Sequence, residues 1–350
     1  MIAEWGKLRA VGMHKPGLEV MLGLLDPSSF LYERQFNWSK ARREHDNLRR
    51  VLKEEGVKIY RLRQTIVNKI RRDDRFREKV IEKVGVNNDD PEFLVELLIL
   101  RPILGYEKRD KGTHLEIKLT DPLSNLYFMR DQQITTEKGI IMGRMATHQR
   151  EKEVEVMKLF WEALNIKYKE IGRGKFEGGD FFPMGDFNLV GVGVRTDLEG
   201  VSELFNILNG GEIGIIHWNR EEFIHLDTFF NVGSSSSVVS VRSFMEESRV
   251  AVYYDRKIIR ETTLYDYVVK EKGFNLIEVS VDEAKKYVTN FLTIDDGKIV
   301  SPKNSANRKL EKEYDVIEVE VSNLTGGAGG IHCMTAVIGT PKITSLKINL

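Results

Sequence analysis

Apolar positions fall into two rhythms along the chain, one of period two and one of helical period. "KLRAVGMHKPG" (residues 7 to 17) alternates like a half-buried strand and stops at a Pro-Gly turn. In "WSKARREHDNLRRVLKE" (38 to 54) apolar residues recur at helical spacing, and "GVKIYRL" (56 to 62) returns to a strand. From Gln64 to Leu119 the strand rhythm disappears. There the pattern predicts charged amphipathic helices broken by "GVNNDDPEF" and "EKRDKGTH", a helical insertion over 64–119 between the first and second units described next.

A single plan then recurs: a strand-like run with an acidic residue, a turn, a second strand and, as a rule, a helix. "NLYFMRDQQITTEKGIIMGR" is followed by the helix "QREKEVEVMKLFWEAL", and "FEGGDFFPMGDFNLVGVGVRT" by "LEGVSELFNIL". "FIHLDTFFNVGSSSSVVSVRS" repeats the hairpin, and "VTNFLTIDDGKIVSPKNS" does so once more before "ANRKLEKEY". With the N-terminal segment and "GIHCMTAVIGTPKI" counted together, the chain predicts about five related units. Asp131 and Asp180 are 49 residues apart, and Asp180 and Asp227 are 47 apart. Repeats of this size pack around a common axis, so equivalent positions converge at its centre. Asp131, Glu177, Asp180, His225, Asp227 and Cys333 all open such units.

The 350 residues suffice for one α/β domain over 1–350. Lys and Arg number 53 against 53 Asp and Glu, so no net field draws in nucleic acid or an anionic membrane. A small-molecule partner is the expectation. The N-terminus lacks a signal-peptide pattern, no apolar run reaches about 20 residues, and a single cysteine cannot form an internal disulfide, which together predict a cytoplasmic location. No close Cys/His set resembles a zinc pattern, so neither a metal nor a cofactor is expected. The sequence leaves a homo-oligomer open.

That cysteine lies in "GGAGGIHCMT" (326 to 335). Small residues such as Gly329 and Gly330 let backbone pass close to a ligand while offering N–H groups, which suits a thiol nucleophile; a small buried hydrophobe is the plain alternative. A catalytic thiol of this kind is expected to alkylate faster than free cysteine at neutral pH. His332 beside it would face away if the segment is a strand. In "IHLD", His225 and Asp227 would share one strand face, and a carboxylate neighbour can keep histidine protonated as a general acid. "FEGGD" brackets two glycines with Glu177 and Asp180, as a polar turn also would. Asp131 adjoins Arg130, which reads equally as a surface ion pair. Carboxylates crowded around a thiolate repel it unless the substrate is a cation, and a guanidinium is a planar cation matched to carboxylates. In that arrangement Asp131 and Asp227 hold its nitrogens, Cys333 attacks its carbon and His225 protonates the departing nitrogen.

The motifs "SNLYFMRD", "FEGGD", "RTD", "IHLDTFF" and "GGAGGIHCMT", in this order, resemble the arginine deiminase and amidinotransferase superfamily, and "EWGKLRAVGMHKPG" resembles arginine deiminases in particular. The resemblance implies a five-bladed α/β propeller of ββαβ-type units, the pentein fold, and a covalent amidino intermediate on Cys333. It implies that Asp131 and Asp227 bind the guanidinium, that His225 is the acid/base supported by Glu177, and that Asn125, Phe128 and Arg195 contact the rest of the substrate. Asp180 is assigned a supporting role. Two positions depart from the family pattern: Ala328 and His148 stand where arginines are expected to hold the substrate carboxylate. Losing two charge-assisted partners costs several kcal/mol, at about 1.5 to 3 each, which puts free arginine in question unless Arg144 or Arg150 substitutes. The leading expectation is a deiminase converting L-arginine or a related guanidino compound to a ureido product such as citrulline. An amidinotransferase with an amine acceptor is the alternative, and a catalytically silent binding protein is a third reading.

Overall fold

The computed structural model of the protein describes residues 2–109, 112–218 and 220–338. Five of its sheets repeat one plan, in which an antiparallel strand pair, a hairpin in four of them, continues into a third strand that pairs parallel with the second. In the first, Ala10–Met13 pairs antiparallel with Ala336–Val337 and parallel with Lys58–Arg61, so the two ends of the chain share a sheet. In the second, Gln133–Thr136 and Gly139–Met142 form the hairpin and Tyr168–Glu170 the parallel partner. The third joins Phe181–Pro183, Phe187–Val192 and Glu212–His217. The fourth joins Phe230–Ser234, Ser237–Ser240 and Asn275–Glu278, and the fifth Leu292–Asp295, Lys298–Pro302 and Asp315–Val319. Parallel pairing requires a crossover, and the apolar stripes read from the sequence supply it: Trp38–Glu54, His148–Ala163, Leu198–Leu208 and the short Asn307–Leu310. A further hairpin, Arg249–Tyr254 with Lys257–Thr263, extends the third sheet to five strands.

The predicted helical insertion is only half helical. Helices Leu62–Arg72, Asp74–Val84 and Pro91–Leu100 are followed by a separate hairpin, Ile103–Arg109 with Gly112–Lys118. The second of these strands is exposed along its whole length. Leu115 and Ile117 do alternate with His114, Glu116 and Lys118 there, a short period-two signal that the helical reading of 64–119 passes over. Residues 110 and 111 of "EKRDKGTH" and residues 339–343 of the carboxy-terminal unit lie outside the described residues. No helix among the described residues is long and apolar enough to cross a membrane.

One-turn segments precede the hairpins and carry the chemistry: Gly178–Asp180, Leu226–Thr228 and Leu324–Gly327 are 3-10 turns. The last is tied down by Glu44 of helix Trp38–Glu54, whose carboxylate accepts hydrogen bonds from the amides of Asn323 and Leu324, each at 3.0 Å. Charge-assisted bonds of this type stabilise by about 1.5 to 3 kcal/mol each. Glu44→Ala is therefore expected to reduce unfolding stability by about 2 kcal/mol or more, measured as a lower urea midpoint; an unchanged midpoint would deny Glu44 this anchoring role.

Candidate functional site

The turns before the second, third, fourth and first sheets deliver Asp131, Glu177 with Asp180, His225 with Asp227, and Cys333 to one place. A small cavity of about 20 Å³ is bounded by Asp131, His225 and Cys333 on its reactive side, with Asn125, Phe128, Arg150 and Arg195 around it and Leu31, Ile224, Gly327 and Ala328 as further walls. A volume of this size holds little more than a water, so the pocket stands nearly closed. A roomier cavity of about 250 Å³, lined by Glu4, Arg130, Gln133 and Gly178 among others, shares none of its walls.

His225 is 1% exposed, and its Nε2 lies 2.8 Å from Glu177 Oε2 while Nδ1 is 3.8 Å from Asp131 Oδ1. Burial opposes its charge, but Asp131, Asp180 and Glu177 outweigh that and raise its pKa to about 9. Conversely, burial pushes Glu177 up, yet the His225 hydrogen bond and charge, with Arg150 and Arg195, bring it down to about 2. The pair is thus an imidazolium–carboxylate pair at neutral pH. Asp180 differs: Thr196 Oγ1 donates to it at 2.6 Å and the Leu226 amide at 2.9 Å, and burial drives its pKa up to about 7. Both its oxygens are engaged, so it braces the His225 turn.

Asp131 and Asp227 each have one oxygen held and one free. Arg150 Nη1 donates to Asp131 Oδ2 at 2.7 Å, and His332 Nδ1 donates to Asp227 Oδ2 at 2.7 Å. Oδ1 of both residues is buried without a hydrogen-bond partner. Buried carboxylate oxygens rarely stay unpaired; Asp131 lines the pocket and Asp227 lies fully buried against the Cys333 sulfur, and unpartnered oxygens of this kind suit a cation with several N–H donors.

Cys333 is 4% exposed, and its Sγ lies 3.4 Å from Asp227 Oδ2. Burial, then Asp227 and Asp131, push its pKa well above the usual thiol value, against donors from Asn290 and Gly330. Burial and these carboxylates favour the thiol over the thiolate in the resting site, which argues against rapid alkylation at neutral pH. Gly329 and Gly330 allow the close approach: a Cβ on Gly329 would sit 2.5 Å from the Phe128 ring, and one on Gly330 2.7 Å from Asn290 Oδ1.

Several local readings change. Leu226–Thr228 is a 3-10 turn, so His225 and Asp227 reach the pocket from a turn and not from one strand face. Residues 331–334 are likewise a turn, which directs His332 inward: it is fully buried, stacks on Phe182 at 5.5 Å, and bridges Asp227 to Glu4 Oε1 at 3.1 Å. Burial opposes the charge on His332, but its bonds to Asp227 and Glu4 raise its pKa. The neighbour of Asp131 is no surface ion pair: Arg130 is 7% exposed, donates from Nε to the His332 carbonyl at 3.2 Å and from its amide to the Cys333 carbonyl at 2.9 Å.

Arg150 is in contact with the site, and Arg144 is not. Arg150 Nε donates to Glu153 Oε2 at 3.0 Å, while Arg144 Nη1 donates to the Gly172 carbonyl at 2.9 Å. Burial works against the Arg150 charge, but Glu153, Asp131 and Glu177 hold it firmly protonated. Arg195 Nη1 donates to Thr147 Oγ1 at 3.3 Å and lies 3.9 Å from Glu177 Oε1, so no close carboxylate saturates it. Asn125 Nδ2 donates to the Phe30 carbonyl at 2.8 Å. His148 is an exposed partner of Glu151 on the surface. Ligand atoms of Asp131, Glu177 and His225 lie within 4.8 Å of one another, a spacing that could hold a metal ion. The Arg150 guanidinium already presents its charge to both carboxylates, at 2.7 and 3.9 Å.

The family description "Arginine deiminase" matches residues 28–98 and 93–339 of this chain. The arginine deiminase of Halobacterium salinarum is 25% identical, covering 95% of this chain and 95% of that one. Among solved structures, a cysteine-to-serine mutant of DDAH from Pseudomonas aeruginosa, complexed with citrulline, superimposes with a TM-score of 0.61 at 16% identity, over 95% of this chain and 99% of that one. The N-terminal domain of ArgZ, a cyanobacterial arginine dihydrolase bound to product, gives 0.63 at 14% identity over 95% and 98%. These two likenesses establish a shared mixed α/β fold.

Proposed function

Because the chain belongs to the arginine deiminase family, we propose that it hydrolyses the guanidino group of arginine or a related compound, yielding a ureido product such as citrulline and ammonia. The observation that carries this reading is that two carboxylates with an unpartnered buried Oδ1 flank the thiol: Asp131, which lines the pocket with Cys333, and Asp227, whose Oδ2 lies 3.4 Å from the sulfur. Incubating the purified protein with L-arginine, with Cys333→Ser as control, tests it by mass spectrometry. Citrulline plus ammonia is the expected result, and ornithine plus a new guanidino compound formed only with an added amine would assign an amidinotransferase instead.

A guanidinium seated between Asp131 and Asp227 neutralises the charges that keep Cys333 protonated, so substrate arrival itself promotes loss of the thiol proton to solvent. The thiolate adds to the guanidinium carbon. His225 then gives its proton to a departing nitrogen, and ammonia leaves as the C–N bond breaks, with an amidino thioether left on sulfur. Neutral His225 next takes a proton from water as the oxygen bonds to carbon; collapse breaks the C–S bond while the hydroxyl proton passes to solvent, releasing the neutral ureido product and thiolate, which regains a proton as the positive charge leaves. Glu177 holds the imidazole throughout.

Two readouts follow. Adding guanidinium ion should lower the Cys333 thiol pKa, seen as thiolate absorbance appearing at lower pH. Because the imidazolium is the acting form of His225, kcat should fall as pH rises through its pKa, at or below about 9 once a cation has reduced the carboxylate field that raised it. A thiol titration unmoved by guanidinium would refute substrate-promoted deprotonation.

Arg195 stands as the cation for the remote end of the substrate, with Asn125 and Phe128 as further contacts, whereas Arg150, engaged by Asp131 and Glu153, acts at the guanidinium end and does not replace the arginines absent at Ala328 and His148. We assign Asp180, Gly329 and Gly330 supporting roles. The same proposal takes the five sheets as blades of an α/β propeller forming one cytoplasmic domain over 1–350, with 64–119 inserted. It involves neither a cofactor nor nucleic acid.

A further inference from the structure

Asn290 lies just before the fifth sheet's hairpin, the place that Asp131, Asp180 and Asp227 occupy before the second, third and fourth. It is fully buried. Its Oδ1 accepts hydrogen bonds from the amides of Gly330 at 3.0 Å and Cys333 at 3.2 Å. Two N–H donors on that atom fix the orientation of the side-chain amide. Nδ2 must then face the other way, where it donates to Cys333 Sγ at 3.2 Å and to the Asp227 carbonyl at 3.0 Å. The backbone completes the grip, since the His332 amide donates to the Asn290 carbonyl at 3.1 Å.

We infer that Asn290 is a catalytic residue of this site, donating its side-chain N–H to the Cys333 sulfur as negative charge develops there and again when the thiolate departs. The inference rests on the reading of Cys333 as nucleophile. The sulfur lies between opposed influences: Asp227 Oδ2 at 3.4 Å accepts its proton in hydrogen bonding and favours the thiol, whereas Asn290 Nδ2 favours the thiolate. Once a cationic substrate engages Asp227, the first influence weakens and the second persists. An aspartate, nearly the same shape as asparagine, would add another carboxylate beside a sulfur already facing Asp131 and Asp227. The fifth unit thus uses the neutral member of the pair where the nucleophile requires a donor. Gly330 permits this contact, because a Cβ there would collide with the Asn290 side chain at 2.7 to 2.9 Å.

Asn290→Asp separates the donor role from a structural one. It keeps an oxygen for the Gly330 and Cys333 amides and removes the N–H facing sulfur. The expected result is a kcat at least 100-fold lower, a Cys333 thiol pKa raised by one unit or more, and L-arginine affinity and melting temperature near those of the parent. If this variant fails to fold, Asn290→Ser carries the same two readouts, thiol titration and kcat. An unchanged thiol pKa would overturn the proposal, whether kcat is retained or falls together with stability and arginine binding. Turnover surviving in Cys333→Ser would instead sink the underlying reading of the nucleophile, independently of Asn290.

Discussion

Cys333→Ala is expected to lower kcat for the guanidino substrate by at least about 10⁴-fold, the scale on which enzymes lose rate when a covalent nucleophile is removed. Binding should survive, because the groups that attract the cation, Asp131 and Asp227, are held from behind by Arg150 and His332 and not by the sulfur. The resting thiol is neutral, so its removal takes away no attraction for a guanidinium, and Cys333→Ala should bind L-arginine at least as tightly as the parent. Calorimetry on the variant and mass-spectrometric turnover on both proteins check the two halves. Retained turnover would mean that another group forms the bond to carbon, and the mechanism proposed above would fall.

Asp227→Asn should lower kcat/KM by about 10²- to 10⁴-fold, if it forfeits two charge-assisted bonds at about 1.5 to 3 kcal/mol each, with about 1.4 kcal/mol per decade. The same substitution should move the thiol the other way. Asp227 is, after burial, the largest influence holding Cys333 protonated, so its neutralisation should lower the thiol pKa and accelerate iodoacetamide alkylation. Disorder of the site would also expose the buried cysteine and speed alkylation, so the assignment to Asp227 requires the faster alkylation to come with an unchanged melting temperature. Slowed alkylation would contradict the assigned role of Asp227.

The hairpin plan was legible because each unit repeats the same local demand: two strands that bury one or both faces, then a stripe that covers them. That is why the stripes at 38–54, 149–164 and 198–208 correspond to helices Trp38–Glu54, His148–Ala163 and Leu198–Leu208. The hairpin within 64–119 left only a short alternation, Leu115 and Ile117 among His114, Glu116 and Lys118, on a strand that buries no face to extend it. Asn290 had a signal that went unread: it stands where the preceding units carry an aspartate, in a unit whose hairpin was recognised. His332 was misjudged through an assumed strand, and a turn at 331–334 reverses the direction of its side chain.

The sequence by itself therefore determined the unit repeat and the chemical identities gathered at its centre, a thiol, an imidazole and several carboxylates, because both are written in short local motifs. Tertiary structure alone decided which oxygen of each aspartate is free, that Arg150 and not Arg144 enters the site, and that Asn290 faces the sulfur. These pairings join residues tens to hundreds of positions apart and depend on how sheets meet, which no local periodicity encodes. The protonation states follow from the same source: a thiol favoured over a thiolate and an imidazolium with its pKa raised to about 9 result from burial among fixed carboxylates.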